Sequence, residues 1–388
     1  MLNSIEIKNI NAIDHCIIDF EKAKYQYKDE MIFHDKLVNP VAFYGTNGSG
    51  KSSFLKAISQ LIGLMINESD KLHGFISNHI NLQKEINKAF NGKNKISERE
   101  LINLYDRVRS SITLNFTLED NNYIYHIETS QLNRITSEYL LSNNKSVFKR
   151  ENNVYYYNKT NNIIEASLYP LIRKLANKEI YNDEKTYMAY NFLSNMSYID
   201  DAKRYYQFKI AIEKSYLDLV VDKSKQVKEI LSKYSSFPIY EICSRPNANI
   251  EGGKEYFAKI DISNGQFELP YAFLSTGMEN QSALLSFVLT LPNDSVMFID
   301  EIEDALHPMT ILNFINVVKE KNIQLVFSSH NTFILQKLRP DQIYFANWKD
   351  GFSRYKKLSE IYPNIREINN IEKMYLSALF DEDINADE

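Results

Sequence analysis

The chain has 388 residues, 44% of them hydrophobic and 24% charged, with a formal net charge of −5. That balance is globular, and it excludes a disordered chain and a generally basic nucleic-acid coat. Its two cysteines lie far apart, no apolar run approaches the roughly 18 residues of a membrane span, and the N-terminus lacks a charged-then-apolar layout. A disulfide scaffold, a membrane protein and a secreted one are therefore not expected, and the expected location is the cytoplasm.

In chain order, residues 4–20 alternate apolar and polar positions (Ile5, Ile7 and Ile10, then Cys16, Ile17, Ile18 and Phe20), which predicts antiparallel strands with one buried face. An apolar strand at 41–44 leads through a glycine-rich loop into a helix at 53–64. Residues 67–108 are polar and helical in tendency, with a break near 91–94. Strand patterns at 112–118 and 123–127 flank the turn-like 119–122 and predict a hairpin, and 154–158 is a further strand. Residues 164–234 read as helical, most clearly at 206–234, where Ile210, Ile212, Leu217, Val220, Val227 and Leu231 form one stripe.

Strands resume after Pro238 and end at 267–270. Helix 282–290, strand 295–299, helix 310–319 and strand 324–327 then alternate, which predicts a mainly parallel sheet covered by helices. The acidic run 381–388 reads as a frayed terminus. The expected fold is α/β, a parallel core with an antiparallel β subdomain. Expected boundaries are 1–158, a helical insertion at 159–236, and 237–388.

The chemistry concentrates in three places. Gly-Thr-Asn-Gly-Ser-Gly-Lys-Ser at 45–52 fits the phosphate-cradling pattern G-x-x-x-x-G-K-[ST] in its required context of strand, loop and helix. Only 11 glycines occur in the chain, so the cluster Gly45, Gly48 and Gly50 is telling. In such a loop the backbone N–H groups point inward, Lys51 reaches the β/γ-phosphates and Ser52 offers a hydroxyl to Mg²⁺. At 295–301 a strand delivers Asp300 and Glu301 to its C-terminal edge, where open α/β sheets bind ligands. Asp300 is placed to hold the metal opposite Ser52, and Glu301 to take a proton from an attacking water. At 274–279 a Ser-x-Gly turn (Ser275, Gly277) precedes a helix and forms a second anion-binding end. One chain with two phosphate-binding ends implies two chains sharing each nucleotide.

Together with Phe-Ile-Asp-Glu-Ile-Glu-Asp-Ala-Leu-His-Pro at 298–308 and Phe-Ser-Ser-His at 327–330, these motifs resemble an ABC-type ATPase head of the SMC/RecF-like branch. Within it the chain is similar to AAA-family proteins related to OLD-type and abortive-infection ATPases. Residues 338–345 and 370–376 resemble that group's following strand and C-terminal helix. The resemblance implies ATP and Mg²⁺ as ligands. Gly45, Thr46, Asn47, Gly48, Ser49, Gly50, Lys51, Ser52 and Ser53 would contact nucleotide, with Ser52 and Asp300 on the metal. It also implies Glu301 as base, Ser275 and Gly277 on the γ-phosphate of the other protomer, and His330 as sensor of that phosphate. His307 stands where many such heads carry an acid, and either packs at a dimer interface or touches nucleotide.

The turn at 274–279, in the signature position, departs from the Ser-Gly-Gly-Gln or Ser-Ser-Gly-Glu-Gln usual in the branch, a change expected to weaken the contact across the dimer and slow hydrolysis. No glutamine is assignable as metal-sensing, Gln60 and Gln83 being the candidates. No zinc spacing and no appended nuclease pattern follow. The resemblance implies a homodimer or higher even oligomer whose ATP-driven closure switches a separately encoded effector, a nuclease or toxin, in anti-phage defence. The alternatives are a RecF-like DNA-binding repair ATPase, which the charge does not favour, and an ATP-binding structural dimer with little turnover.

Overall fold

The computed structural model describes residues 1–23, 32–33, 36–66, 74–90, 102, 104–105, 107–132, 134–164, 168–177, 183–200, 205–207, 216–234, 239–248, 253–262, 265–306, 308–363, 365 and 369–376. The alternation at the N-terminus becomes the antiparallel strands Leu2–Ile10 and Ile13–Asp19. They form one end of an eight-stranded sheet that continues through Arg109–Leu118, Asn121–Ser130, Arg134–Ser142, Lys145–Glu151, Val154–Tyr157 and Thr160–Ile163. Two of its tight turns place both central residues at positive φ: 44° and 64° at Glu119 and Asp120, 48° and 62° at Asn143 and Asn144. Those angles suit the right-handed twist of a hairpin, and Asn and Asp tolerate them best. The Asn-Asn turn joins two strands that the sequence reading did not anticipate.

The second sheet has seven strands. Its parallel members run in the order Ser197–Asp200, Val296–Asp300, Gln324–Ser328, Val41–Tyr44 and Ile343–Lys349. Tyr205–Gln207 and Phe352–Lys357 lie antiparallel at its two edges. The four strands Ser197–Asp200, Val296–Asp300, Gln324–Ser328 and Val41–Tyr44 are buried at every residue, as strands covered on both faces must be.

Alternate residues then serve two cores. Val41, Phe43, Phe298 and Val326 join Phe54 and Ile58 of helix Lys51–Ile66 and the inner face of the eight-stranded sheet. Ala42, Met297, Ile299 and Leu325 face Val288 and Phe314 of helices Thr276–Thr290 and Pro308–Glu320. A small three-stranded sheet (Ile239–Pro246, Lys254–Ile262, Gly265–Pro270) packs on helix Tyr216–Tyr234 around Val220, Ile242, Ala258 and Tyr271.

The stretch read as helical contains helices Leu171–Leu175, Glu184–Ser194 and Tyr216–Tyr234, but Tyr205–Gln207 and Ser197–Asp200 are strands in it, the latter buried throughout. Four residues, all buried, give too short a run for periodicity to separate strand from helix. The break at 91–94, Ile210, Ile212, His307 and the acidic run 381–388 lie outside the described residues.

Candidate nucleotide-binding site

The site grows from the C-terminal edge of the parallel strands. Tyr44 ends a buried strand and Lys51 starts a helix, so residues 45–50 must reverse the chain in six residues. Gly45 (φ 151°) and Gly50 (φ 101°) make this possible. A Cβ on Gly45 would lie 2.2 Å from the carbonyl oxygen of Ala346, and one on Gly50 would lie 1.7 Å from Ser353 Oγ. The loop therefore rests directly on the hairpin formed by Ile343–Lys349 and Phe352–Lys357.

Tyr355 fixes the loop's last peptide by donating its hydroxyl to the Gly50 carbonyl (2.7 Å), which also accepts from Ser53 N–H (2.9 Å). In a trans peptide the following N–H points the opposite way, so Lys51 N–H is directed out of the helix N-terminus. Thr46, Asn47 and Gly48 are exposed at the tip of the loop.

Lys51 is 5% exposed, and its ammonium donates to the carbonyls of Gly45 (2.8 Å) and Thr46 (3.1 Å). Burial lowers its pKa to about 8, against the opposing pull of Glu301, Glu303 and Asp300. Below about pH 8 the ammonium is charged, and above it the charge is progressively lost. ATP affinity is therefore expected to be flat from neutral pH to about 8 and to weaken above it, by up to roughly tenfold per pH unit, in calorimetric titrations across pH 7–9.5.

Ser52 Oγ donates to Asp300 Oδ1 (2.9 Å), and the same oxygen accepts from Ser328 Oγ (2.6 Å). Ser328 in turn accepts from Glu301 N–H (2.8 Å), so one hydroxyl ties both acids to the neighbouring strand. Asp300 is buried at its strand end, whereas Glu301 turns out of it with φ 53° and ψ 62°. A left-handed glutamate is a strained conformation of the kind that gathers at functional sites. Burial, then the charges of Asp300 and Asp304, raise the Glu301 pKa above the ordinary carboxylate value, which suits a proton acceptor.

His330 follows strand Gln324–Ser328, and its N–H donates to Glu303 Oε1. Burial and the charge of Lys51 lower its pKa, so its imidazole is neutral at pH 7. Ser275 caps helix Thr276–Thr290 by accepting from Met278 N–H (3.4 Å). Ser275, Thr276 and Gly277 are all exposed, and space is open where a Gly277 Cβ would be.

The fold thus gathers Lys51, Ser52, Asp300, Glu301 and His330 at one sheet edge, with Ser275 and Gly277 on a separate exposed turn. Sequence reasoning missed Ser328, Glu303 and Tyr355. The first two lie inside the recognised motifs without an assigned task, and nothing local marks Tyr355. Gln60 bridges Asn11 and Ile76, and Gln83 bonds Asn87; neither shares a bond with the loop or the acids. Asp200 stands in register beside Asp300 at the same sheet edge.

The oxygen set fits Mg²⁺. Among the described residues no three His, Cys, Asp or Glu side chains form a metal cage. Mg²⁺ at nucleotide sites needs none, taking one or two protein oxygens and filling its octahedron with phosphate and water. The hydroxyl of Ser52 and the carboxylate of Asp300, already in contact, supply such a pair.

Residues 41–336 match the family described as "AAA domain, putative AbiEii toxin, Type IV TA system". The chain belongs to this AAA-domain family. No curated protein matches it by sequence. Among solved structures, the crystal structure of an SmcHead bound to the C-winged helix domain of ScpA is similar, at 16% identity and TM-score 0.50, covering 92% of this chain and 99% of that one. An SMC head domain from Thermotoga maritima is 14% identical with TM-score 0.43, over 92% and 98%. This AAA-family chain therefore has the fold of an SMC-head-type P-loop ATPase, as the motifs imply. Among the described residues no helix is long and apolar enough to cross a membrane.

Proposed function

We propose that the chain hydrolyses ATP between two copies of itself and that the resulting opening and closing switches a separately encoded partner in abortive-infection-like defence. The observation that carries the reading is the chain of contacts from Ser52 through Asp300 and Ser328 to Glu301, which joins the end of the glycine-rich loop to the two acids proposed as metal ligand and base.

Mg²⁺, when bound by Ser52 and Asp300, would neutralise charge on the β- and γ-phosphates. Lys51 would exchange the Gly45 and Thr46 carbonyls for phosphate oxygens. Glu301 would take a proton from the water that attacks the γ-phosphorus as the bond to the ADP oxygen breaks, leaving ADP and phosphate. His330, neutral at pH 7, would donate a hydrogen bond to a γ-oxygen. Ser275 and the N-terminal N–H groups of its helix are exposed and would reach the γ-phosphate of a second copy. Domain boundaries near 158 and 236 remain part of this proposal, with the C-terminal part carrying signature turn, acids and histidine.

The family description and the fold neighbour's complex with a ScpA domain both support a head that works with another protein. The experiment is phosphate release together with sedimentation velocity, with and without Mg²⁺-ATP. Turnover and an ATP-dependent dimer are expected; a monomer that releases no phosphate would sink the proposal.

A further inference from the structure

Strand Ile343–Lys349 is in register with the P-loop strand only as far as Phe345 beside Tyr44. Its remaining residues, with the start of the returning strand, rise beyond the sheet edge alongside residues 45–50. The contact is tight: Ala346 lies against Gly45 and Ser353 against Gly50. Trp348 is the cross-strand partner of Ser353, so the two side chains leave the hairpin on the same face. By the two-residue period of a strand, that face is also the face of Tyr344 and Ala346. Tyr344 stacks on Phe43 (5.5 Å), and Phe43 on Phe54 of helix Lys51–Ile66 (4.7 Å), so it is the face this helix covers. Trp348 stands about 7 Å further along the strand than Ala346, beyond the sheet edge and on the side of the helix N-terminus. The turn between strands Leu2–Ile10 and Ile13–Asp19 closes the same wall, since Ser353 N–H donates to the Ala12 carbonyl (2.8 Å).

Trp348 is the chain's single tryptophan, and it is 49% exposed. A large aromatic left in water beside a ligand cradle loses the burial that usually justifies it. Direction gives it a use. The strand carrying Asp300 is separated from the P-loop strand by Gln324–Ser328 on one flank, and the Trp348 hairpin borders the other. A nucleotide with its γ-phosphate at Asp300 and Glu301 must extend its base away from them, towards this hairpin.

We infer that Trp348 forms the base subsite, its indole stacking on the nucleobase of the bound triphosphate. The inference rests on the proposed nucleotide reading. Stacking acts on the π-face that every base has, so this wall supplies affinity without strong discrimination between adenine and guanine.

The test compares Mg²⁺-ATP with inorganic tripolyphosphate, which has the phosphates but no base, on the full chain and on Trp348→Ala and Trp348→Phe. ATP should change the intrinsic tryptophan fluorescence of the wild type, and tripolyphosphate should not. Calorimetry should show ATP binding weakened roughly tenfold in Trp348→Ala, largely restored in Trp348→Phe, with tripolyphosphate binding equal in all three. Equal ATP affinity in wild type and Trp348→Ala overturns the base subsite while leaving the phosphate site standing. Binding of neither ligand to the wild type overturns both.

Discussion

Replacing Glu301 by glutamine is expected to slow ATP hydrolysis by about 10²–10⁴-fold while ATP remains bound, the range that a positioned general base supplies. Glutamine keeps the length and shape of the side chain, so the left-handed backbone at 301 and its N–H bond to Ser328 persist. What is lost is the proton acceptor. The raised pKa of Glu301 adds a second signature: wild-type turnover should rise with pH through a limb lying above the ordinary carboxylate range, because burial and Asp300 hold the proton on longer. The variant should show no such limb in its residual rate. Single-turnover phosphate release across pH 4.5–8 measures both. A glutamine variant that turns over within threefold of wild type would remove Glu301 from the chemistry.

Lys51→Ala should act one step earlier, on binding. The ammonium reaches two loop carbonyls, at 2.8 and 3.1 Å, and would transfer that pair of charge-assisted bonds to phosphate oxygens. Hydrogen bonds to charged groups contribute about 1.5–3 kcal/mol each, so losing two predicts a fall in ATP affinity of roughly 10²–10⁴-fold. Removing the cation also leaves Asp300, Glu301 and Glu303 facing the incoming phosphates with one positive charge fewer between them. Calorimetric titration of the variant with Mg²⁺-ATP checks this, and an affinity within threefold of wild type would contradict the cradle.

The residues that meet at the candidate site were legible because their pattern is local. Six residues from Gly45 to Gly50 must turn the chain between a strand and a helix, and the acids at 300 and 301 end an apolar run. What stayed hidden depends on register between distant segments. Ser328 lies in a recognised motif, yet its task exists only because strand Gln324–Ser328 pairs with Val296–Asp300. Tyr355 reaches Gly50 only because its strand pairs with Ile343–Lys349, which borders the P-loop strand. Strand Ser197–Asp200 was lost inside a helical pattern for want of length, and with it the acid that stands beside Asp300. In the eight-stranded sheet, Asn143 and Asn144 were the available signal for two unread strands, since adjacent positive-φ residues between alternating stretches mark a hairpin.

In the proposed dimer, Lys51 of one chain and Ser275 of another complete a single site. Mixing the Lys51→Ala chain with a Ser275→Arg chain, each inactive alone, tests it most directly. In a two-fold dimer the mixed pair contains one site with both defects and one with neither. Random pairing at equal amounts should therefore restore roughly a quarter of the wild-type phosphate release. No recovery in a mixture shown to form mixed dimers would contradict the shared site, as would full activity of Ser275→Arg by itself.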